Sequence, residues 1–228
     1  MASQIKAVFF DLDDTLYDTR VQVTSARENA VKAMVSAGLG ISEERAFREL
    51  QRIVKKYGSN YPHHFNRLLE KLDVKDPKII AAGIMAYHDT KTAYLVPFAD
   101  TVPTLLWLRD RGFKVGVITD GVPLKQWEKL IRLGLKDMFH AVVITERPLH
   151  QKPSEVPFLK AARKMNLRPE ECVMVGNRLD KDVEGANRAG MTTALLAKDG
   201  QVVQKPKSRM QEPDYIIPDL RSIRQIIS

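Results

Sequence analysis

Residues 5–16 read IKAVFFDLDDTL, and this stretch decides the fold that we predict. Its first half is a short, mainly apolar run with β-branched and aromatic residues that ends abruptly at Asp11. Such a run is typical of a strand in a parallel sheet that helices cover on both faces. Similar runs follow at residues 114–119, 141–145, 172–176 and 192–197, with helical patterns between them. The alternation predicts an α/β fold with a Rossmann-like core and a parallel sheet.

Residues 18–97 interrupt this alternation. They hold successive amphipathic helical patterns and no run typical of a strand. We therefore predict two domains: an α/β core of residues 1–17 and 98–228, and an all-helical cap domain of residues 18–97. Insertions of this length in compact domains are commonly lids or binding elements.

The composition excludes several classes of protein. Hydrophobic residues make up 44% of the chain and charged residues 28%, so it can bury a core and is not disordered. It lacks an apolar stretch long enough for a membrane span and an N-terminal secretory pattern. A single cysteine, Cys172, excludes a disulfide framework. We expect a cytoplasmic protein with no membrane partner, and a monomer by default.

The net charge of +8 fits nucleic acid, a membrane surface or a small anionic substrate as a partner. The excess of basic residues is spread over both predicted domains and forms no basic arm. We therefore expect no nucleic-acid partner.

Three carboxylates, Asp11, Asp13 and Asp14, follow the first predicted strand. An acidic turn or helix cap is the structural alternative, but carboxylates at a strand end can share a hard cation such as Mg²⁺. The spacing lets Asp11 and Asp13 point into one cleft, where they could act as a nucleophile and an acid or base.

Polar clusters also follow the next three predicted strands, at residues 119–121, at Lys152 and at residues 176–182. Ligands of α/β sheets bind at the carboxyl ends of the strands, so we expect the clusters to converge. Pro123 suits the first turn of a helix, which places Thr119 near a helix N-terminus, a natural phosphate site; helix capping alone would explain the same residues.

The four clusters resemble, in order and spacing, the motifs of the haloacid dehalogenase-like (HAD) hydrolase superfamily. The matching pieces are DLDDTL at 11–16, VITDG at 117–121, KPSEVPF at 152–158 and VGNRLDKDVEGANRAGM at 175–191. The resemblance covers essentially the whole chain, and the helical insertion lies where the subclass I cap of this family does. It implies a Mg²⁺-dependent phosphatase whose partner is a small phosphorylated metabolite.

The resemblance also implies roles for individual residues. Asp11 would take the phosphoryl group as an aspartyl-phosphate, and Asp13 would protonate the leaving oxygen and then accept a proton from water. As an acid, Asp13 needs a pKa raised by burial or by nearby negative charge. The phosphate-binding residues would be Thr15, Thr119, Asp120, Gly121 and Lys152. The Mg²⁺ ligands would be Asp11, the Asp13 carbonyl, Asn177 and Asp182.

Asn177 departs from the family pattern, which usually has aspartate there. An amide oxygen can coordinate Mg²⁺ but adds no charge, so we expect weaker metal binding and slower turnover. The departure leaves two alternatives open: a metal-independent haloacid dehalogenase, and a weakly active or inactive relative with a binding role. Asp13 favours a phosphatase because dehalogenases usually lack an acid at its position. A phosphosugar mutase would share the first steps.

In the predicted cap, Lys56, Tyr61 and His64 are candidates for contact with the leaving group. We predict that they set substrate preference; a plain surface location is the alternative.

Overall fold

The apolar run before Asp11 forms strand β1, Ala7–Phe10, whose four side chains are all buried. In this computed structural model, which describes residues 4–59, 61–198 and 205–227, β1 lies inside a sheet of six parallel strands. The others are β2 Lys114–Asp120, β3 Ala141–Thr145, β4 Cys172–Gly176, β5 Thr192–Leu196 and β6 Tyr215–Ile217. Their order is β3-β2-β1-β4-β5-β6. The predicted α/β fold with a parallel sheet is confirmed.

The chain divides into two compact units, Met1–Asp18 with Val96–Ser228, and Thr19–Leu95. The second unit, here called the cap, contains α1 Thr19–Ser36, α2 Glu43–Tyr57, α3 His64–Lys71 and α4 Pro77–Ala93. Its described residues form helices and connecting loops, so the all-helical insertion after β1 is confirmed. A small residue lets α1 and α4 pack closely: a Cβ on Gly83 would lie 2.7 Å from Met34.

The described residues of the first unit, here called the core, form four more α-helices: α5 Thr101–Asp110, α6 Pro123–Arg132, α7 Val156–Lys164 and α8 Glu184–Ala189. Tight packing explains a glycine inside β2, since a Cβ on Gly116 would lie 2.6 Å from the Phe9 ring of β1. Among the described residues, no helix combines the length and apolar character needed to cross a membrane.

The register of the sheet brings together the ends of β1, β2 and β4, which the predicted polar clusters follow. Phe10, the last residue of β1, lies opposite Val117 of β2 on one side and Val175 of β4 on the other. The Asp11 N–H then donates to the Val175 carbonyl over 2.9 Å. Residues just beyond the ends of β1, β2 and β4 therefore share one edge of the sheet.

Candidate active site

The core brings the predicted polar clusters together at the carboxyl ends of four adjacent strands. Asp11 follows β1, Thr119 and Asp120 end β2, Lys152 follows β3, and Gly176 ends β4. The strands alternate in sequence with helices that return the chain to the opposite edge, so every strand points the same way. This edge is where α/β sheets bind their ligands.

A buried ion-pair cluster joins three of these elements. The Lys152 ammonium, 3% exposed, donates to Asp11 Oδ1 over 2.5 Å and to Asp182 Oδ1 over 2.6 Å. It also donates to the Ile118 carbonyl over 3.2 Å, so all three of its hydrogens have acceptors. Buried charges persist in a protein only when they are paired and hydrogen-bonded in this way.

The cluster carries more negative than positive charge. Burial lowers the pKa of Lys152, but Asp11 and Asp182 outweigh burial and raise it above its usual value, so Lys152 is charged at neutral pH. Burial, opposed by Lys152 but supported by Asp182 and Asp13, raises the pKa of Asp11 to about 7. One ammonium thus faces two carboxylates, which leaves room for a second cation.

The oxygen atoms at this edge of the sheet are suited to bind Mg²⁺ as ligands. Asp11 and Asp182 present carboxylate oxygens, and Asn177, half-buried just after β4, adds an amide oxygen at the same edge. The described residues form no cluster of three or more His, Cys, Asp or Glu side chains suited to a metal. Mg²⁺ commonly binds through only one or two carboxylates, with waters and substrate phosphate oxygens completing its shell.

Asp182 is held tightly beside Gly176. Its Oδ2 accepts from the Arg178 N–H over 3.0 Å, and it lies in a π-helical turn, Leu179–Val183, of the kind frequent at functional sites. A Cβ on Gly176 would collide with the Asp182 side chain, so glycine is required there. Asp180, in contrast, is only partly buried, with 45% of its side chain exposed, and pairs with Arg178 over 2.7 Å.

The predicted phosphate-binding hydroxyls are buried at this edge. Thr15 Oγ1 has no hydrogen-bond partner among the described residues, and such an orphan polar atom indicates a missing ligand or water. Thr119 Oγ1 accepts from Gln126 Nε2 over 2.6 Å, so its own O–H can donate to another acceptor.

Asp120 and Gly121 shape the loop between β2 and α6. Asp120 Oδ1 accepts from the Lys152 N–H over 3.2 Å, which ties the end of β2 to the loop that carries Lys152. Gly121 has φ 138°, a left-handed conformation that favours glycine, and Pro123 begins α6 as predicted for its first turn.

Asp13 is surrounded by donors that sequence reasoning missed. Lys129 Nζ lies 2.7 and 2.8 Å from its two carboxylate oxygens, the Tyr17 hydroxyl donates to Oδ1, and Gln126 Nε2 lies 3.4 Å from Oδ2. Burial raises the pKa of Asp13, but Lys129 and the hydrogen bonds outweigh burial and lower it below its ordinary value. The pKa of Asp13 is therefore lowered in this structure, whereas its implied role as an acid needs a raised one, because Lys129 places a positive charge beside it.

Two of the three missed residues share one sequence signal. Gln126 and Lys129 are three positions apart on α6, and residues at this spacing share a helix face. Gln126 is 2% exposed and lies on the same buried face as Leu130. A polar residue on an otherwise apolar helix face, just after a candidate phosphate site, was the available clue.

The three cap candidates lie around one aromatic cluster. Tyr61 stacks on Tyr57 with ring centroids 4.9 Å apart, and its ring centroid lies 5.5 Å from that of His64. Lys56 is exposed, with its ammonium 5.1 Å from the Tyr57 ring centroid. Their part in substrate preference stays a prediction.

The comparisons with known proteins agree on a family. A family model described as haloacid dehalogenase-like hydrolase matches residues 5–190. The glyceraldehyde 3-phosphate phosphatase of Methanopyrus kandleri is 49% identical over 226 residues, 98% of this chain and 97% of that protein. The one from Pyrococcus furiosus is 42% identical over 225 residues, 98% of this chain and 93% of that protein. The crystal structure of a HAD phosphatase from Thermococcus onnurineus superposes with a TM-score of 0.67 at 29% identity, over 98% of both chains.

Proposed function

The chain belongs to the haloacid dehalogenase-like hydrolases and hydrolyses small phosphate monoesters, and we propose that glyceraldehyde 3-phosphate is its substrate and Asp11 its nucleophile. The resemblance found in the four sequence motifs is thus confirmed. The substrate is proposed from two relatives that match nearly the whole chain and act, by their names, on glyceraldehyde 3-phosphate.

The assignment of Asp11 as the nucleophile rests on its buried contact with Lys152. A carboxylate about 4 Å from a phosphate dianion meets roughly 8 kcal/mol of repulsion at an effective dielectric of 20. A cation fixed beside the carboxylate offsets that repulsion. Lys152 is such a cation, and it costs no reorganisation when the substrate arrives.

We propose the following steps for the first half of the reaction. A carboxylate oxygen of Asp11 attacks phosphorus, and the bond from phosphorus to the leaving oxygen breaks. Asp13 gives a proton to that oxygen, so the product leaves as an alcohol. Thr119 donates a hydrogen bond to a phosphoryl oxygen, and Lys152, whose hydrogens already have acceptors, supplies positive charge beside the phosphoryl group. The negative charge of the bound phosphate raises the pKa of Asp13 towards the range that this acid step needs.

The second half returns the enzyme to its starting state. Water attacks the phosphorus of the aspartyl-phosphate and gives a proton to Asp13, and inorganic phosphate leaves with the Asp11 carboxylate restored. The acid of the first half acts as the base of the second, so Asp13 must reach both the leaving oxygen and the attacking water.

We propose that Mg²⁺ is bound by Asp11, Asp182, Asn177 and the carbonyl of Asp13. When bound, it supplies positive charge that offsets the phosphate and the two buried carboxylates. This arrangement accounts for the excess of negative charge around Lys152.

Phosphate release from glyceraldehyde 3-phosphate, with Mg²⁺ and with EDTA, tests the proposal. We expect turnover that requires Mg²⁺ and that Asp11→Asn abolishes. Equal rates for the wild type and Asp11→Asn would overturn the role of Asp11. The substrate assignment fails if another ester in a panel, such as glycerol 3-phosphate or dihydroxyacetone phosphate, has a kcat/KM ten times higher.

A parallel measurement addresses the dehalogenase alternative. Halide release from 2-chloropropionate without metal would support it, and we expect none, because Asp13 supplies an acid that dehalogenation does not use.

A further inference from the structure

One face of α6 is directed at the candidate site. Gln126 and Lys129, three positions apart, both contact Asp13, and Gln126 also contacts Thr119. None of the four sequence motifs includes either residue. Their side chains join the proposed acid to a proposed phosphate ligand through one rigid helix.

Lys129 holds both oxygens of the Asp13 carboxylate. Its Nζ lies 2.7 Å from Oδ1 and 2.8 Å from Oδ2, which fixes the rotation of the carboxylate plane. The Lys129 side chain is 23% exposed, so this is no fully solvated surface pair. The Tyr17 hydroxyl donates to Oδ1 as well, so donors hold Asp13 from two different elements.

Gln126 holds Thr119, the second site residue that this face of α6 contacts. Its Nε2 donates to Thr119 Oγ1 over 2.6 Å and to the Asp120 carbonyl over 3.0 Å, and it lies 3.4 Å from Asp13 Oδ2. The side chain is fully enclosed, so it cannot rotate freely. Thr119 and Asp13 are therefore held at a fixed separation.

We propose that Lys129 is a positioning residue that holds Asp13 where it protonates the leaving oxygen, while Gln126 holds Thr119 beside it. This inference rests on the proposed function of Asp13. A general acid works only within hydrogen-bond reach of the atom it protonates, and small misplacements are costly. Lys129 thus acts through Asp13 and not on the phosphate.

The leaving group of the substrate distinguishes this role from others. Glycerol 3-phosphate has an alkoxide leaving group that must be protonated, whereas p-nitrophenolate is a stable anion that leaves unaided. The ratio kcat/KM covers steps up to transfer of the phosphoryl group to Asp11, so later hydrolysis of the aspartyl-phosphate does not affect it. For Lys129→Met we expect kcat/KM to fall about 100-fold on glycerol 3-phosphate, within the usual contribution of a general acid. On p-nitrophenyl phosphate we expect a change of less than about threefold, because that leaving group needs no acid.

Lys125→Met is the matched control, since it removes the same charge from an exposed position on the same helix. Lys125→Met should leave kcat/KM unchanged on both substrates. Lys129→Arg keeps the positive charge and can still donate to both carboxylate oxygens of Asp13. It should therefore restore part of the kcat/KM that Lys129→Met loses on glycerol 3-phosphate. In an Asp13→Asn background, Lys129→Met should cause no further loss, because the residue it positions is already gone. Thermal unfolding checks that each variant is folded, and Lys129→Gln replaces Lys129→Met if the latter is not.

Equal losses on the two esters would overturn the inference and assign Lys129 to phosphate binding or stability. An unchanged Lys129→Met variant would overturn it too, as would an additional loss in the Asp13→Asn background. Failure of the proposed function looks different: the wild type itself would release phosphate from glyceraldehyde 3-phosphate no faster than Asp11→Asn.

Discussion

The Lys152 ammonium lies 2.5 Å from the Asp11 carboxylate, in a contact between residues 141 positions apart that is closed to solvent. This pair bears on both the stability of the protein and the proposed reaction. Removing one partner of a buried pair leaves an uncompensated charge, and removing the cation beside a nucleophile leaves its repulsion with phosphate unopposed.

Lys152→Met should lower both the activity and the stability of the protein. We expect kcat for phosphate release to fall about 10²–10³-fold, as for loss of one preorganised donor. The free energy of unfolding should fall by roughly 3–5 kcal/mol, because Asp11 and Asp182 lose their buried cation. Urea unfolding and steady-state kinetics measure the two effects. Lys160→Met, on the exposed side of α7, is the control and should change neither; a stable, active Lys152→Met protein would contradict the charge argument.

Asn177→Asp should strengthen metal binding. The change replaces a neutral amide oxygen with a charged one at the edge where Asp11 and Asp182 lie, so the Mg²⁺ concentration for half-maximal activity should fall. A Mg²⁺ titration of phosphate release measures it. Asp180→Asn removes a partly exposed carboxylate that is already paired with Arg178 and should leave the titration unchanged. Indistinguishable titrations for wild type and Asn177→Asp would remove position 177 from the metal site.

Gly176→Ala should lower both stability and activity. The new Cβ would collide with Asp182 and displace it from Lys152. Overpacking of this kind costs about 1–3 kcal/mol. Gly83→Ala collides with Met34 in the cap and is the matched comparison: it should lower the melting temperature while kcat/KM stays near that of the wild type. A Gly176→Ala enzyme with full kcat/KM would show that Asp182 need not stay in place.

Glu171 should make stability depend on pH. Its hydrogen bond from Lys6, with a second from the Arg168 N–H, lowers its pKa to about 2. A depressed carboxyl pKa stabilises the fold above the unfolded-state value of about 4.3, and the contribution is lost as pH falls towards 2. Glu171→Gln should therefore lower the melting temperature at pH 7, with the difference from wild type closing below pH 4. Glu170→Gln, at a more exposed neighbour, should show little effect at either pH; a pH-independent difference for Glu171→Gln would rule out titration as its cause.

The strands could be predicted because both faces of a central parallel strand are buried, which makes β1 and β4 read as unbroken apolar runs. The polar clusters could be predicted because they follow those runs directly. Lys129 and Gln126 could at most be noticed as polar residues on one face of a predicted helix, since the sequence does not show that α6 lies beside Asp13. The lowered pKa of Asp13 could not be predicted for the same reason, because Lys129, whose charge lowers it, lies 116 positions away in the chain.

The central position of β1 also bears on how the chain acquires its structure during synthesis. β1, Ala7–Phe10, is made before both of its neighbours, since β2 begins at Lys114 and β4 at Cys172. Closing so long a loop costs little extra free energy, about 0.6 kcal/mol for each doubling of length. Such distant pairing slows folding far more than it weakens the folded state. A ribosome must therefore make both β2 and β4 before β1 has its two partners, whereas the contacts within the cap need no residue beyond Leu95.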